Sequence, residues 1–116
     1  MKIVFKNENL RFRLDVKDKD GDVVVNPLNV QSLSATFRSE FNNELWLDFR
    51  YPAEAEYPEI TLESGQFYIE ITTEQADTAP TGNVIISVNY KVADASFSEG
   101  FNSFTEKGRI LLVKEA

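Results

Sequence analysis

From Val84 to Val92 every second residue is apolar, namely Val84, Ile86, Val88, Tyr90 and Val92, while Ser87, Asn89 and Lys91 between them are polar. A period of two is the signature of a strand with one dry face and one wet face. A helix does not keep it, because its side chains return to the same face only every three or four residues. The pattern recurs at Leu10, Phe12, Leu14 and Val16, which alternate with Arg11, Arg13 and Asp15. It appears again at Leu33, Ala35 and Phe37, at Leu45, Leu47 and Phe49, and at Phe67, Ile69 and Ile71. Turn chemistry separates these runs: Asp20-Gly21, Asn26-Pro27, Asn42-Asn43, Ser64-Gly65 and the Pro80–Gly82 stretch. Short strands are expected at Val23–Val25 and around Ile60–Leu62, and a closing strand at Arg109–Lys114. Thr72 and Gln75 have the spacing of a capping box, which predicts a single helical turn before Pro80.

About seven to nine short strands at this spacing predict an all-β domain, an immunoglobulin-like antiparallel β-sandwich occupying residues 1–116 as one unit. The expected interior is Phe12, Leu14, Phe37, Leu47, Phe67, Ile69, Ile86, Val88 and Tyr90, the apolar faces of the alternating strands. At 116 residues with 42% apolar content the chain can build one core without covalent staples.

Composition then removes whole classes of function. There is no cysteine and no histidine. Disulfides, cysteine nucleophiles, histidine-based triads and the common zinc sites are therefore excluded. A carboxylate-only mechanism has no distinguishing pattern among 19 acidic residues, so no catalytic residue, cofactor or metal ligand is assigned and the chain is not expected to be an enzyme. The net charge of −7 opposes the phosphate neutralisation that nucleic acid or an anionic membrane surface demands. No apolar run approaches the roughly 20 residues of a membrane-spanning helix. The opening Met1–Asn7 turns polar too early for a signal peptide, which leads to the expectation of a cytosolic product.

Asp18, Asp20 and Asp22 resemble a calcium loop, but the register fails. With Gly21 in the sixth position, Val16 and Pro27 would occupy the first and twelfth. An aspartate-rich hairpin turn is the expected outcome. Six aromatic residues stand out as candidates for partner contact. Trp46 falls on the polar side of its strand's alternation, where it would cover an edge of the sandwich or pack under a loop, or, with Tyr51 and Tyr57, contact a partner or form a sugar-stacking platform. Phe97, Phe101 and Phe104 lie in a polar stretch read as a loop from Ala93 to Phe104, where they would fold back on the core or anchor in a neighbour. Ile110–Val113 is apolar on both faces, so it is either central or covered by a partner through strand addition. Glu54, Glu56 and Glu59 read as solvated loop charges.

The order of these features resembles a known family. An alternating strand from Leu10, the Asp-Lys-Asp-Gly turn, a valine strand, and Ser34-Ala35-Thr36-Phe37-Arg38 look like the opening of the immunoglobulin-like domains of tailed-phage structural proteins. The N-terminal domain of baseplate upper proteins is one such domain. Ile71-Thr72-Thr73-Glu74-Gln75, Ala79-Pro80-Thr81-Gly82, Val84–Val92 and Gly108–Val113 follow the same rhythm. The resemblance implies a virion component that binds other virion proteins, such as the major capsid protein or fibre and tail components, in many copies. Because the sequence ends soon after its closing strand, the expectation is an auxiliary (decoration) capsid protein or a fibre or tail adaptor rather than a fibre-forming upper baseplate protein. A carbohydrate-binding β-sandwich module is the alternative.

Overall fold

The computed structural model describes residues 2–16 and 29–115. Eight strands and one short helix follow one another among them: β1 (Lys2–Phe5), β2 (Leu10–Leu14), β3 (Val30–Ser39), β4 (Leu45–Tyr51), β5 (Thr61–Glu63), β6 (Gln66–Ile71), α1 (Thr73–Asp77), β7 (Gly82–Ala93) and β8 (Phe101–Lys114). The expected strand at Val23–Val25 and the Asp18–Asp22 turn lie outside the described residues.

The strands form two sheets, one of five in the order β1-β8-β7-β3-β4 and one of three in the order β2-β6-β5. All pairs are antiparallel except β1 with β8, where Lys2 to Phe5 run parallel beside Leu111 to Lys114. The expected antiparallel sandwich is present, with this one parallel pair at the edge of its larger sheet. Strands at opposite ends of the chain need no hairpin between them, so nothing forces the antiparallel sense.

The two sheets close on one core. Leu33, Ala35, Phe37, Phe49, Val84, Ile86 and Tyr90 from the larger sheet meet Leu10, Phe67, Ile69 and Ile71 from the smaller one, all buried. Phe37 sits at its centre, within 5.7–6.1 Å of the rings of Phe12, Trp46 and Phe49 in edge-on geometry. Of the nine residues expected inside, Phe37, Phe67, Ile69, Ile86 and Tyr90 are buried, and Phe12, Leu14, Leu47 and Val88 pack against the core half-buried. The helical turn forms as the capping box requires. Gln75 N–H donates to Thr72 Oγ1 at 3.1 Å, and Thr72 N–H donates to Gln75 Oε1 at 2.9 Å.

Strand β8 departs most from expectation. It begins at Phe101 rather than Arg109, because twelve residues of β7 find partners along it, from Gly82 opposite Val113 to Ala93 opposite Phe101. The loop shrinks to Asp94–Gly100, closed by Asp94 N–H donating to the Gly100 carbonyl at 2.9 Å. Gly100 takes φ +84°, a conformation that disfavours side chains. The strand Ile110–Val113, read as central or open to a partner, lies between β1 and β7 and is therefore interior to its sheet.

Candidate functional site

The six aromatic candidates part into two groups. Trp46 and Tyr51 turn inward. Opposite Phe37 stands Leu47, but opposite Arg38 stands Leu45, so Trp46 is the extra residue of a β-bulge. A regular register would pair Trp46 with Arg38 on the outer face. The bulge re-aims it towards the core, 5.9 Å from the Phe37 ring. Its indole N–H donates to the Gln75 carbonyl and to Thr78 Oγ1, both at 3.1 Å, so Trp46 fastens the helical turn to the sheet. Tyr51 packs edge-on against Phe67 at 4.9 Å.

Tyr57 is 41% exposed, but its ring lies under the Arg50 guanidinium at 4.4 Å. Arg50 also donates two hydrogen bonds to Asp48, at 2.7 and 3.0 Å, and lies 3.8 Å from Glu54. The hydrogen bonding and charge of Asp48 raise the Arg50 pKa, so its cation is secure. Backbone bonds from Arg50 N–H to the Pro58 carbonyl and from Ile60 N–H to the Arg50 carbonyl hold the acidic loop along the β4 edge. Glu54 is thus drawn to Arg50, while Glu56 and Glu59 are exposed. Trp46 and Tyr51 lie at opposite ends of β4 and Tyr57 in the loop beyond it, so the three make no single platform.

Phe97, Phe101 and Phe104 share one end of the molecule but not one loop. Phe101 and Phe104 belong to β8, which corrects the expectation that all three sit in a loop. Phe104 is half-buried and stacked on Tyr90, with ring centroids 5.2 Å apart and an interplanar angle of 21°. Tyr90 in turn donates its hydroxyl to Glu106 at 3.0 Å. Phe101 lies under Lys91 at 4.6 Å. Only Phe97 stands at the tip of the Asp94–Gly100 loop, 47% exposed.

The opposite end carries an aromatic that sequence reasoning missed. Phe41, in the β3–β4 hairpin, is 95% exposed. The hairpin is tied by backbone bonds: Ser39 N–H donates to the Glu44 carbonyl, Asn43 N–H to the Ser39 carbonyl at 2.8 Å, and Asn43 adopts φ 59°. Leu45 beside it is 47% exposed, and a cleft of about 330 Å³ lined by Glu44, Leu45, Trp46, Thr78 and Pro80 opens nearby. An apolar residue inside an otherwise polar turn is the signal that marks Phe41 in the sequence. Strand β7 spans the gap between the two ends, so Phe41 and Phe97 sit roughly 40 Å apart at 3.3 Å per residue.

Among the described residues no group of three carboxylates, histidines or cysteines is placed to hold a metal ion. No helix there is long and apolar enough to cross a membrane. Comparison with protein-family models, curated proteins and solved structures finds no match.

Proposed function

We propose that this chain is a structural component of a tailed-phage particle, an auxiliary capsid protein or a fibre or tail adaptor, working through protein–protein contacts. The observation that carries the reading as a contact module is the pair of aromatic tips, Phe41 and Phe97, exposed at opposite ends of the sandwich. An exposed phenylalanine costs solubility and gains roughly 1.5–3 kcal/mol of transfer free energy when a partner buries it, before ordering costs. Two such tips suit a module that links neighbours at both ends.

The strand order supports an immunoglobulin-like reading of the fold. Immunoglobulin sandwiches set their second, fifth and fourth core strands in one sheet against the third, sixth and seventh in the other. With β2 taken as the second strand, β2-β6-β5 faces β8-β7-β3, and β4 extends the larger sheet. The phage assignment itself comes from the resemblance in residues 10–40 and 71–113. Contact through many copies fits the acidic surplus, which would orient the domain on a basic shell.

The test is mass spectrometry of gradient-purified particles of the encoding phage. The chain should co-migrate with them in fixed ratio, and the Phe41→Ser, Phe97→Ser double variant should lose occupancy while keeping its circular dichroism. Particles that lack the wild-type chain would remove the proposal.

A further inference from the structure

The larger sheet has an unfinished edge. Strand β1 covers β8 only from Leu111 to Lys114. Among the described residues, the stretch from Phe101 to Lys107 has a neighbour on the β7 side alone. Antiparallel pairs alternate between bonded and non-bonded positions, and the Asp94–Gly100 bond sets the phase. Asn102, Phe104, Glu106 and Gly108 therefore exchange backbone bonds with β7. Phe101, Ser103, Thr105 and Lys107 aim their N–H and C=O groups outward, away from the sheet. Such a row is a template for another strand unless it is guarded. No proline interrupts it, and it carries one acid and one base, Glu106 and Lys107, in a chain of net charge −7.

We propose that this edge pairs with the same edge of a second copy of the chain, antiparallel and centred on Phe104. A two-fold axis normal to the sheet places residues of one face opposite each other. Phe104 then meets Phe104 of the other copy at a non-bonded position, where side chains approach closest. The stacked Tyr90–Phe104 pair continues across the axis into its counterpart. Asn102 falls opposite Glu106 as an amide–carboxylate pair, Ser103 opposite Thr105 as a hydroxyl pair, and Phe101 opposite Lys107 as a cation–π pair. The outward backbone groups are all bonded at once, about eight hydrogen bonds in total. The adjacent register, centred on Thr105, would set Phe104 against Glu106 and break the ring contact, and the next, centred on Glu106, would set Glu106 against Glu106, which the like charges reject. Lys2 of β1 pairs with Leu111, which leaves the paired stretch clear. Dimerisation is independent of the virion role, and either can fail alone.

Sedimentation equilibrium over a concentration series tests the pairing. The wild type should dimerise reversibly. Thr105→Pro removes an outward N–H, with the Thr105 hydroxyl's bond to Asn89 but no backbone bond of the β7 ladder, and should be monomeric with native circular dichroism. Asn102→Glu sets a carboxylate against Glu106 and should weaken the dimer about tenfold, whereas Asn102→Lys should tighten it by a similar factor. Hydrogen exchange should show the Ser103, Thr105 and Lys107 amides protected only in the dimer. A wild type that stays monomeric at millimolar concentration leaves the edge to a strand of another protein and overturns the pairing. A dimer indifferent to both Asn102 substitutions overturns it too, and decides the matter even if Thr105→Pro does not fold.

Discussion

Phe37→Ala tests the core most directly. Phe37 is fully buried and touches three other rings, those of Phe12, Trp46 and Phe49. Transfer of its side chain out of water contributes about 2.5 kcal/mol. Truncation to alanine leaves a void of about 100 Å³, which at 24 cal/mol per Å³ adds about 2.4 kcal/mol if the surroundings do not collapse. The sum, about 5 kcal/mol, lies at the upper end of Phe→Ala substitutions, and partial relaxation lowers it to about 4. A domain of this size shifts its melting temperature by roughly 4 °C per kcal/mol, so a fall of about 16–20 °C is expected. Urea denaturation followed by far-ultraviolet circular dichroism, which does not depend on the tryptophan, supplies the free energy, with an unchanged m-value required for comparison. A double-mutant cycle with Trp46→Ala should return a coupling of about 0.5–1.5 kcal/mol from the edge-on ring pair. A loss below 2 kcal/mol, or no coupling, would refute the placement of Phe37 at the junction of the two sheets.

Trp46→Phe keeps the ring but removes the donor to Gln75 and Thr78, and should cost about 1 kcal/mol in urea denaturation. Thr72→Ala breaks the capping box and should cost about 1 kcal/mol, with faster amide exchange confined to Thr73–Asp77. Arg50→Lys loses the planar two-point contact with Asp48, and the Pro52–Pro58 loop should become a preferred site of limited proteolysis while the core stays intact. The Glu115 carboxyl is held below its usual range by hydrogen bonds from Lys6 and Thr81. Its folded pKa lies under its unfolded one, so its contribution to stability is present above the ordinary carboxylate range and is lost as the pH falls through the folded value. Carbon-13 titration should place Glu115 lower in the wild type than in Lys6→Met, and equal midpoints would contradict the Lys6 contact.

Most of the strands were legible because their wet and dry faces differ. Phe67, Ile69 and Ile71 alternate with Tyr68 and Glu70, and all three are buried in β6. The first half of β8 was not legible for the converse reason. Beyond Phe104 its face on the sandwich side, Glu106 and Gly108, is exposed, so nothing there demands an apolar residue and Asn102–Lys107 reads like a loop. Trp46 was misplaced because alternation assumes an unbroken register, and a bulge adds one residue without a sequence mark. Phe41 was passed over because its neighbours spell a turn. The turn is there, and only the structure shows that its one apolar side chain has nothing to pack against.

The parallel pairing of β1 with β8 governs how the domain answers a mechanical load. A pull applied upstream of Lys2 and downstream of Lys114 draws the two strands past each other along their own axes. The slanted, evenly spaced bonds of a parallel pair then bear the tension together, in shear, instead of opening one after another like a zip. Detaching β1 must come before tension reaches β7 or the core beneath it. Resistance to traction along this axis is therefore a matter of the rate at which one four-residue ladder slips, and a proline in β1 would lower the force at which the domain yields while leaving its buried interior unchanged.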